Sequence, residues 1–253
     1  MASTTPPSRV ALVTGAGRNI GREIALALAS SGAAVGVNVR SSAQEGQEVV
    51  ELIQARGGHA MLCVADVTDQ HAVRAMIAQV DANWGRLDVL VNNAAIRLEA
   101  PLEDISAQDW HQTLAVVLDG AFFCTQAALA MLRRSDAAAI VNIGGMTAQT
   151  GAADRVHVVT AKAGLSGMTR ALAHDLSPDG ITVNCISPGM VETVRRASTA
   201  GATPGHHAKH APLLGRRGSA AEIAASVDWL AGPGARFITG QTVHVNGGTY
   251  LGG

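Results

Sequence analysis

The sequence predicts an α/β fold: a single doubly wound parallel sheet of about seven strands, flanked by helices on both faces. Three observations carry this. Short apolar, β-branched runs alternate with longer segments of helical apolar spacing along the whole chain. Strands buried on both faces read as continuous apolar runs, and helices between such runs imply parallel pairing through crossovers. Second, 253 residues suffice for one large domain, and no repeat, linker or composition break divides them. Third, a glycine-rich turn, Thr14 to Gly21 (TGAGRNIG), joins the first apolar run to the first helical pattern. Residues 1–8 read as a loose polar tail and residues 9–253 as the domain.

Val10–Val13 is the first strand, and Arg22 to Leu28 carries the first helical pattern. The run Ala33–Val39 precedes a helix over Ala43–Ala55, and Ala60–Ala65 precedes one from Asp69 to Asn83. Leu87–Val91 leads to a long helical region, Ala107–Leu132. Then come Ala138–Ile143, a helix from Asp154 to Leu176, and the strand Ile181–Ile186. After a loop-rich stretch, a helix over Ala220–Leu230 and the strand Thr242–Val245 complete the pattern.

Strand, glycine turn and helix together form a pyrophosphate cradle. The turn lets the backbone approach the phosphates, and the free N–H groups at the helix start stabilise their charge. Gly15, Arg18, Ile20 and Gly21 are expected there. Asn19 stands where a third glycine is usual, and asparagine tolerates a left-handed backbone. In such sheets ligands bind beyond the carboxyl ends of the strands. A carboxylate ending the second strand would suit the ribose of NAD, and a cation the 2′-phosphate of NADP. The segment Asn38-Val39-Arg40-Ser41-Ser42 has no acid, and Arg18 lies in the first turn. NADP(H) is therefore expected over NAD(H), against the simpler reading of Arg18 and Arg40 as solvated surface arginines. Asp66, ending the third strand, faces the adenine edge or caps the next helix with Thr68.

The net charge of -1 gives no reason to expect nucleic acid or an anionic membrane as partner. No uninterrupted apolar stretch reads as a bilayer span, and Met1 to Ser8 lacks the apolar core of a secretory signal. Cys63, Cys124 and Cys185 are far apart in apolar segments, as expected of buried thiols in a reducing cytoplasm. A cytoplasmic location follows as an expectation.

TGAGRNIG, Asp66-Val67, Asn92-Asn93-Ala94-Ala95, Ser187 to Thr193 (SPGMVET) and Asn246-Gly247-Gly248 stand in one order and spacing from about Arg9 to Leu251. On these motifs the chain resembles the short-chain dehydrogenase/reductase family, in pattern its 3-oxoacyl-carrier-protein reductase-like members. The resemblance implies a Rossmann-like fold, frequent use of NADP, and assembly as a homotetramer or homodimer. It also implies that Asn92 and Ala94 line the cofactor and that Thr193 contacts the nicotinamide carboxamide. Val67, Pro188 and Gly189 belong to the same expected set. Ala95 departs from the usual glycine, as Asn19 does.

A carbonyl reductase needs a proton donor within hydrogen-bond reach of the developing alkoxide. The family meets that need with an asparagine in a long helix, a serine after the fifth strand, and the tyrosine and lysine of Y-x-x-x-K. A free phenol has a pKa of about 10, which the lysine and cofactor must lower. Here Val117 takes the asparagine position, Gly145 the serine and Val158 the tyrosine, and Lys162 alone is kept. The chain's one tyrosine is Tyr250. Valine and glycine cannot donate a proton, so Lys162 is expected to hold the nicotinamide ribose rather than to sustain turnover. His157 is a conceivable substitute donor, but helix neighbours point about 100° apart; packing at a subunit surface is its simpler reading. Thr147, Thr160, Asp119 and Tyr250 are weaker candidates.

The loop after Gly189 carries Arg195, Arg196, His206, His207, Lys209 and His210. By resemblance it is a substrate lid, and its charge suits an anionic small-molecule substrate. His206 and His210 have helical metal spacing but no accompanying carboxylate or cysteine, so no metal is expected. Two functions fit: an oxidoreductase with an unorthodox proton route, or a cofactor-holding silent subunit. The latter would assemble with itself or with an active relative.

Overall fold

Seven strands build the sheet: β1 (Val10–Val13), β2 (Ala34–Val39), β3 (Ala60–Val64), β4 (Val89–Asn92), β5 (Ala139–Ile143), β6 (Thr182–Pro188) and β7 (Thr242–Val245). All pairings are parallel, in the order β3-β2-β1-β4-β5-β6-β7. The computed structural model describes residues 7–193 and 211–252. The doubly wound sheet predicted by the apolar alternation is present, and its direction of winding reverses between β1 and β4. At such a switch point the loops on either side diverge and leave a crevice at the strands' carboxyl ends.

Among the described residues the α-helices are α1 (Asn19–Ser30), α2 (Ala43–Ala55), α3 (Gln70–Trp84), α4 (Ala107–Leu114), α5 (Gly120–Leu132), α6 (Thr147–Thr150), α7 (Val156–Leu176) and α8 (Ala220–Ala231). Strand side chains alternate between two cores. Ala11, Val13, Val35 and Val37 pack with α1, α2 and α8 residues such as Ile24, Val49 and Val227. Val10, Leu12, Leu90 and Ile140 pack with α3 and α5 residues such as Val73, Met76 and Leu132. Because successive strand residues face opposite sides, both sets must be apolar, which is why the runs are uninterrupted.

Several boundaries differ from the sequence expectation, each for a local reason. Asp69 accepts hydrogen bonds from the backbone N–H groups of His71 and Ala72, so it caps α3 rather than joining it. The last helix before β6 starts at Val156 because Asp154 takes a left-handed φ of 59°. The long region Ala107–Leu132 is broken by a π-turn at Ala115–Asp119. That region is also long and apolar enough to cross a membrane by length and composition, contrary to the expectation of no such stretch. Its buried Cys124, Ala128, Met131 and Leu132 pack in the second core, which explains the apolar composition. Cys63, Cys124 and Cys185 are free and buried, and burial pushes the Cys63 and Cys124 thiols up to about 12.

Candidate cofactor cleft and the site beside it

A cleft of about 500 Å³ opens at the switch point, beyond the carboxyl ends of β1 to β4. The glycine turn forms one wall. Gly15 has a φ of +62°, and Asn19 the positive φ of 50° that an asparagine tolerates. Gly21 has no room for a side chain: a Cβ there would lie 2.3 Å from the Gly15 carbonyl oxygen and 2.5 Å from Asn93 Nδ2. Thr14 locks the turn to β4, donating through Oγ1 to the Val91 carbonyl and accepting from the N–H groups of Asn93 and Ala94. Asn93 completes the clamp, its Nδ2 donating to the carbonyls of Thr14 at 2.9 Å and Gly15 at 3.0 Å. The clamp holds the start of α1 at the cleft wall, and a helix start, whose first N–H groups lack intrahelical acceptors, is an arrangement that suits a pyrophosphate.

At the end of β2, Asn38 is turned inward. Its Oδ1 accepts from Gly15 N, and its Nδ2 donates to the carbonyls of Cys63 and Ala65. The neighbouring cleft wall is made by Arg18, Arg40, Ser41 and Ser42, with Glu45 of α2 also reaching it. Asp66 lines the cleft as well, but it does not cap α3. Its Oδ1 accepts from the N–H and hydroxyl of Thr68, at 2.9 and 2.8 Å, while Asp69 makes the cap.

Of the residues anticipated at the cofactor, Gly15, Arg18, Asn19, Ile20, Gly21, Arg40, Asp66, Val67, Ala94 and Thr193 line one cleft. Asn92, Lys162, Pro188 and Gly189 lie outside that lining. Asn92 is turned into the core, donating to Thr125 Oγ1 and Asn142 Oδ1, and Asn142 in turn donates to Thr169. Its successor Asn93 does the work at the cleft instead, because adjacent strand-end residues face opposite sides. Pro188 ends β6. Gly189 packs so closely on Asn246 that a Cβ would lie 2.7 Å from Asn246 Cα. Asn38, Asn93, Ile96 and Arg97 line the cleft without having been singled out as site residues from the sequence. The period-two alternation at the end of β4 was the available signal for Asn93.

Beside this cleft, Lys162 is 9 % exposed and donates from Nζ to the Ile143 carbonyl. Burial pushes its ammonium down to about 8; Cys185 opposes the shift, and the charges of Arg97 and Arg155 add to it. Gly145 sits against the lysine stem, and Val158, one turn earlier on α7, is buried. Val117 lies in the π-turn and packs with Ala161 and Leu165 in a small apolar cluster. Around Lys162, therefore, the positions equated with serine, tyrosine and asparagine present no hydroxyl or amide. His157 is fully buried within the protomer, so the surface reading is corrected. It does not line the cleft, and neither ring nitrogen has a hydrogen-bond partner among the described residues. Burial lowers its pKa against the pull of Asp109. Tyr250 packs edge-on against His244, with ring centroids 4.9 Å apart. The lid residues Arg195, Arg196, His206, His207, Lys209 and His210 lie outside the described residues. Among the described residues no cluster of three potential metal ligands occurs.

A parallel sheet with a glycine turn at its switch point defines an α/β protein of the Rossmann type. The family profile described as enoyl-(acyl carrier protein) reductase matches residues 15–250. The chain is 38% identical over 244 residues to the 3-oxoacyl-(acyl-carrier-protein) reductase FabG of Staphylococcus aureus, covering 96% of this chain and 99% of that protein. It is 37% identical to the (2S)-((R)-hydroxy(phenyl)methyl)succinyl-CoA dehydrogenase subunit BbsD of Thauera aromatica, covering 96% and 97%. A short-chain dehydrogenase from Burkholderia cenocepacia, solved in complex with NADP, superposes with a TM-score of 0.87 at 36% identity, covering 95% and 97%. The chain belongs to the short-chain dehydrogenase/reductase family, an oxidoreductase family.

Proposed function

We propose that this chain holds NADP(H) in the switch-point cleft and is an oxidoreductase of altered chemistry, one that moves its proton without serine or tyrosine. The observation carrying the reading is the cradle itself: a turn with no space for a Cβ at Gly21, clamped by Thr14 and Asn93. Its chemistry fits a dinucleotide, with backbone donors for the pyrophosphate and a corner of Arg18, Arg40, Ser41 and Ser42 for a 2′-phosphate. The neighbour solved with NADP supports the same preference. When bound, the reduced cofactor supplies a hydride. Val67, Ala94 and Thr193 would flank it, and Lys162 would stand beside it.

Losing a positioned acid costs about 10²–10⁴-fold in rate. Fluorescence titration with NADPH and NADH, followed by a carbonyl panel, tests the reading. NADPH should bind more tightly, and native reduction of simple ketones should be slower than in an intact relative by about 10²-fold or more. Vigorous native reduction would refute the impaired site, and failure to bind either cofactor would refute the cleft's role.

The burial of apolar Val117 and Val158 at the emptied positions favours a second reading, a silent cofactor-holding subunit of a cytoplasmic homo- or hetero-oligomer. That one relative is named as a dehydrogenase subunit supports it. Cofactor binding without turnover, together with co-purification of an active relative, would select this reading.

A further inference from the structure

Lys162 and Lys209 are the two lysines among the 19 lysine and arginine side chains, and Lys162 is buried. An ammonium group carries three N–H donors. Lys162 gives one to the Ile143 carbonyl, and among the described residues it has no second hydrogen bond from Nζ and no salt bridge. Val158, one turn before it on α7, is buried and apolar. Cys185, the thiol that acts on it electrostatically, is held in its uncharged form by burial. A buried ammonium with one hydrogen bond and no counter-charge is costly, whereas the neutral amine keeps that bond without the cost. The amine accordingly loses its proton at about 8 rather than 10.5.

The stem of this lysine borders an opening. A Cβ built on Gly145 would meet Cγ of Lys162 at 4.0 Å and, its two chain neighbours aside, no other described heavy atom within that distance. Gly145 is itself half-buried, so the space beside the lysine opens towards solvent. We propose that Lys162 is a nucleophilic amine that captures a small aldehyde at this opening as a Schiff base. The nitrogen lone pair attacks the carbonyl carbon and the N–C bond forms. Both amine protons pass to the oxygen, which departs as water and leaves C=N, with nothing oxidised or reduced. A protonated imine draws electrons from the neighbouring carbon, so covalent chemistry of this kind needs neither the serine nor the tyrosine hydroxyl. This activity goes beyond hydride transfer and does not depend on a dinucleotide in the cleft.

Reductive alkylation of the full chain with acetaldehyde and cyanoborohydride, without added dinucleotide, tests this. Peptide mass spectrometry separates Lys162 from Lys209 and from the amino terminus. At pH 7 Lys162 should be alkylated about 10-fold or more faster than Nα-acetyllysine in the same solution, since a lowered pKa leaves more neutral amine. Its rate should level off above about pH 8, whereas that of an ordinary lysine climbs towards 10.5. Pivalaldehyde, too bulky for the gap, should show no such advantage, and Gly145→Val, which fills the gap, should slow acetaldehyde several-fold. If Gly145→Val fails to fold, the two aldehydes compared on the native chain still decide. Alkylation of Lys162 no faster than that of Nα-acetyllysine overturns the site. So does a rate that follows pH as the free amino acid's does, or an equal advantage for both aldehydes.

Discussion

The Cβ that Gly145 lacks would lie 4.0 Å from Cγ of Lys162, and among the described residues, its two chain neighbours aside, no other heavy atom comes as close. A side chain at Gly145 therefore has space, and its backbone needs no glycine conformation. Gly145→Ser should leave stability within about 0.5 kcal/mol, as read by thermal melting. Joined with Val158→Tyr, it should produce measurable NADPH-dependent ketone reduction exceeding that of either single variant. A folded, cofactor-binding double variant without that gain would show that more than the hydroxyls is missing.

Lys162 predicts a pH-dependent stability. Burial lowers its pKa to about 8 from the ordinary 10.5. Between those values the unfolded chain binds the extra proton, so the native state gains stability as pH rises from 8 to 10.5. Below pH 8 the buried ammonium carries its full cost. Lys162→Met should raise the melting temperature at pH 7, by the equivalent of about 1–3 kcal/mol, and the difference should shrink towards pH 10. A constant difference across that range would contradict the assignment.

Gly21 has no room for a methyl group beside the Gly15 carbonyl and Asn93. Gly21→Ala should displace the turn and weaken NADPH binding about 10-fold or more, a loss of roughly 1.4 kcal/mol. Asn19→Gly keeps the positive φ available and should bind NADPH within about twofold of the native chain. Equal affinity for Gly21→Ala and the native protein, by fluorescence titration, would remove the cradle from the binding site.

Arg40 lines the cleft, and on the proposed reading it would supply charge where NADPH and NADH differ. Arg40→Asp should reduce NADPH affinity about 10-fold or more and spare NADH, since a carboxylate repels the 2′-phosphate and matches a ribose diol. Unchanged discrimination would shift the task to Arg18 or to the serines.

Asp88 anchors the amino end of the sheet. Burial raises its pKa, but hydrogen bonds from Arg86, Ser135 and Val10 N and the Arg86 charge outweigh this and hold it below the usual range. Its contribution is present above the unfolded pKa and is lost as pH falls through the folded one. Asp88→Asn should cost on the order of 2 kcal/mol at pH 7, with the penalty fading under acid. Melting curves at pH 7 and pH 3 check both parts.

Much of this fold was legible because its signals are local. The apolar runs of β1 and β2 reach both cores, so each strand announced itself, and Ala43–Ala55 was delimited to the residue. Boundaries failed where one side chain or backbone angle overrides periodicity, as at Asp69, Asp154 and the π-turn at Ala115–Asp119. The site was legible along the glycine turn, where neighbours in sequence are neighbours in space. At Asn92 and Asn93 the alternation at the end of β4 held a signal that the motif reading passed over, and the packed structure turns Asn92 into the core and Asn93 onto the glycine turn.

By itself, the amino-acid sequence determined the winding of the sheet, the glycine turn at its switch point and the presence of Gly145, Val158 and Val117 at the positions equated with serine, tyrosine and asparagine. Those properties reside in residue identity and short-range spacing. Only the tertiary structure decided that His157 is enclosed within the protomer and that Lys162 bonds to Ile143. These relations arise when elements remote along the chain pack together, and close packing, unlike periodicity, leaves no trace in the order of the residues.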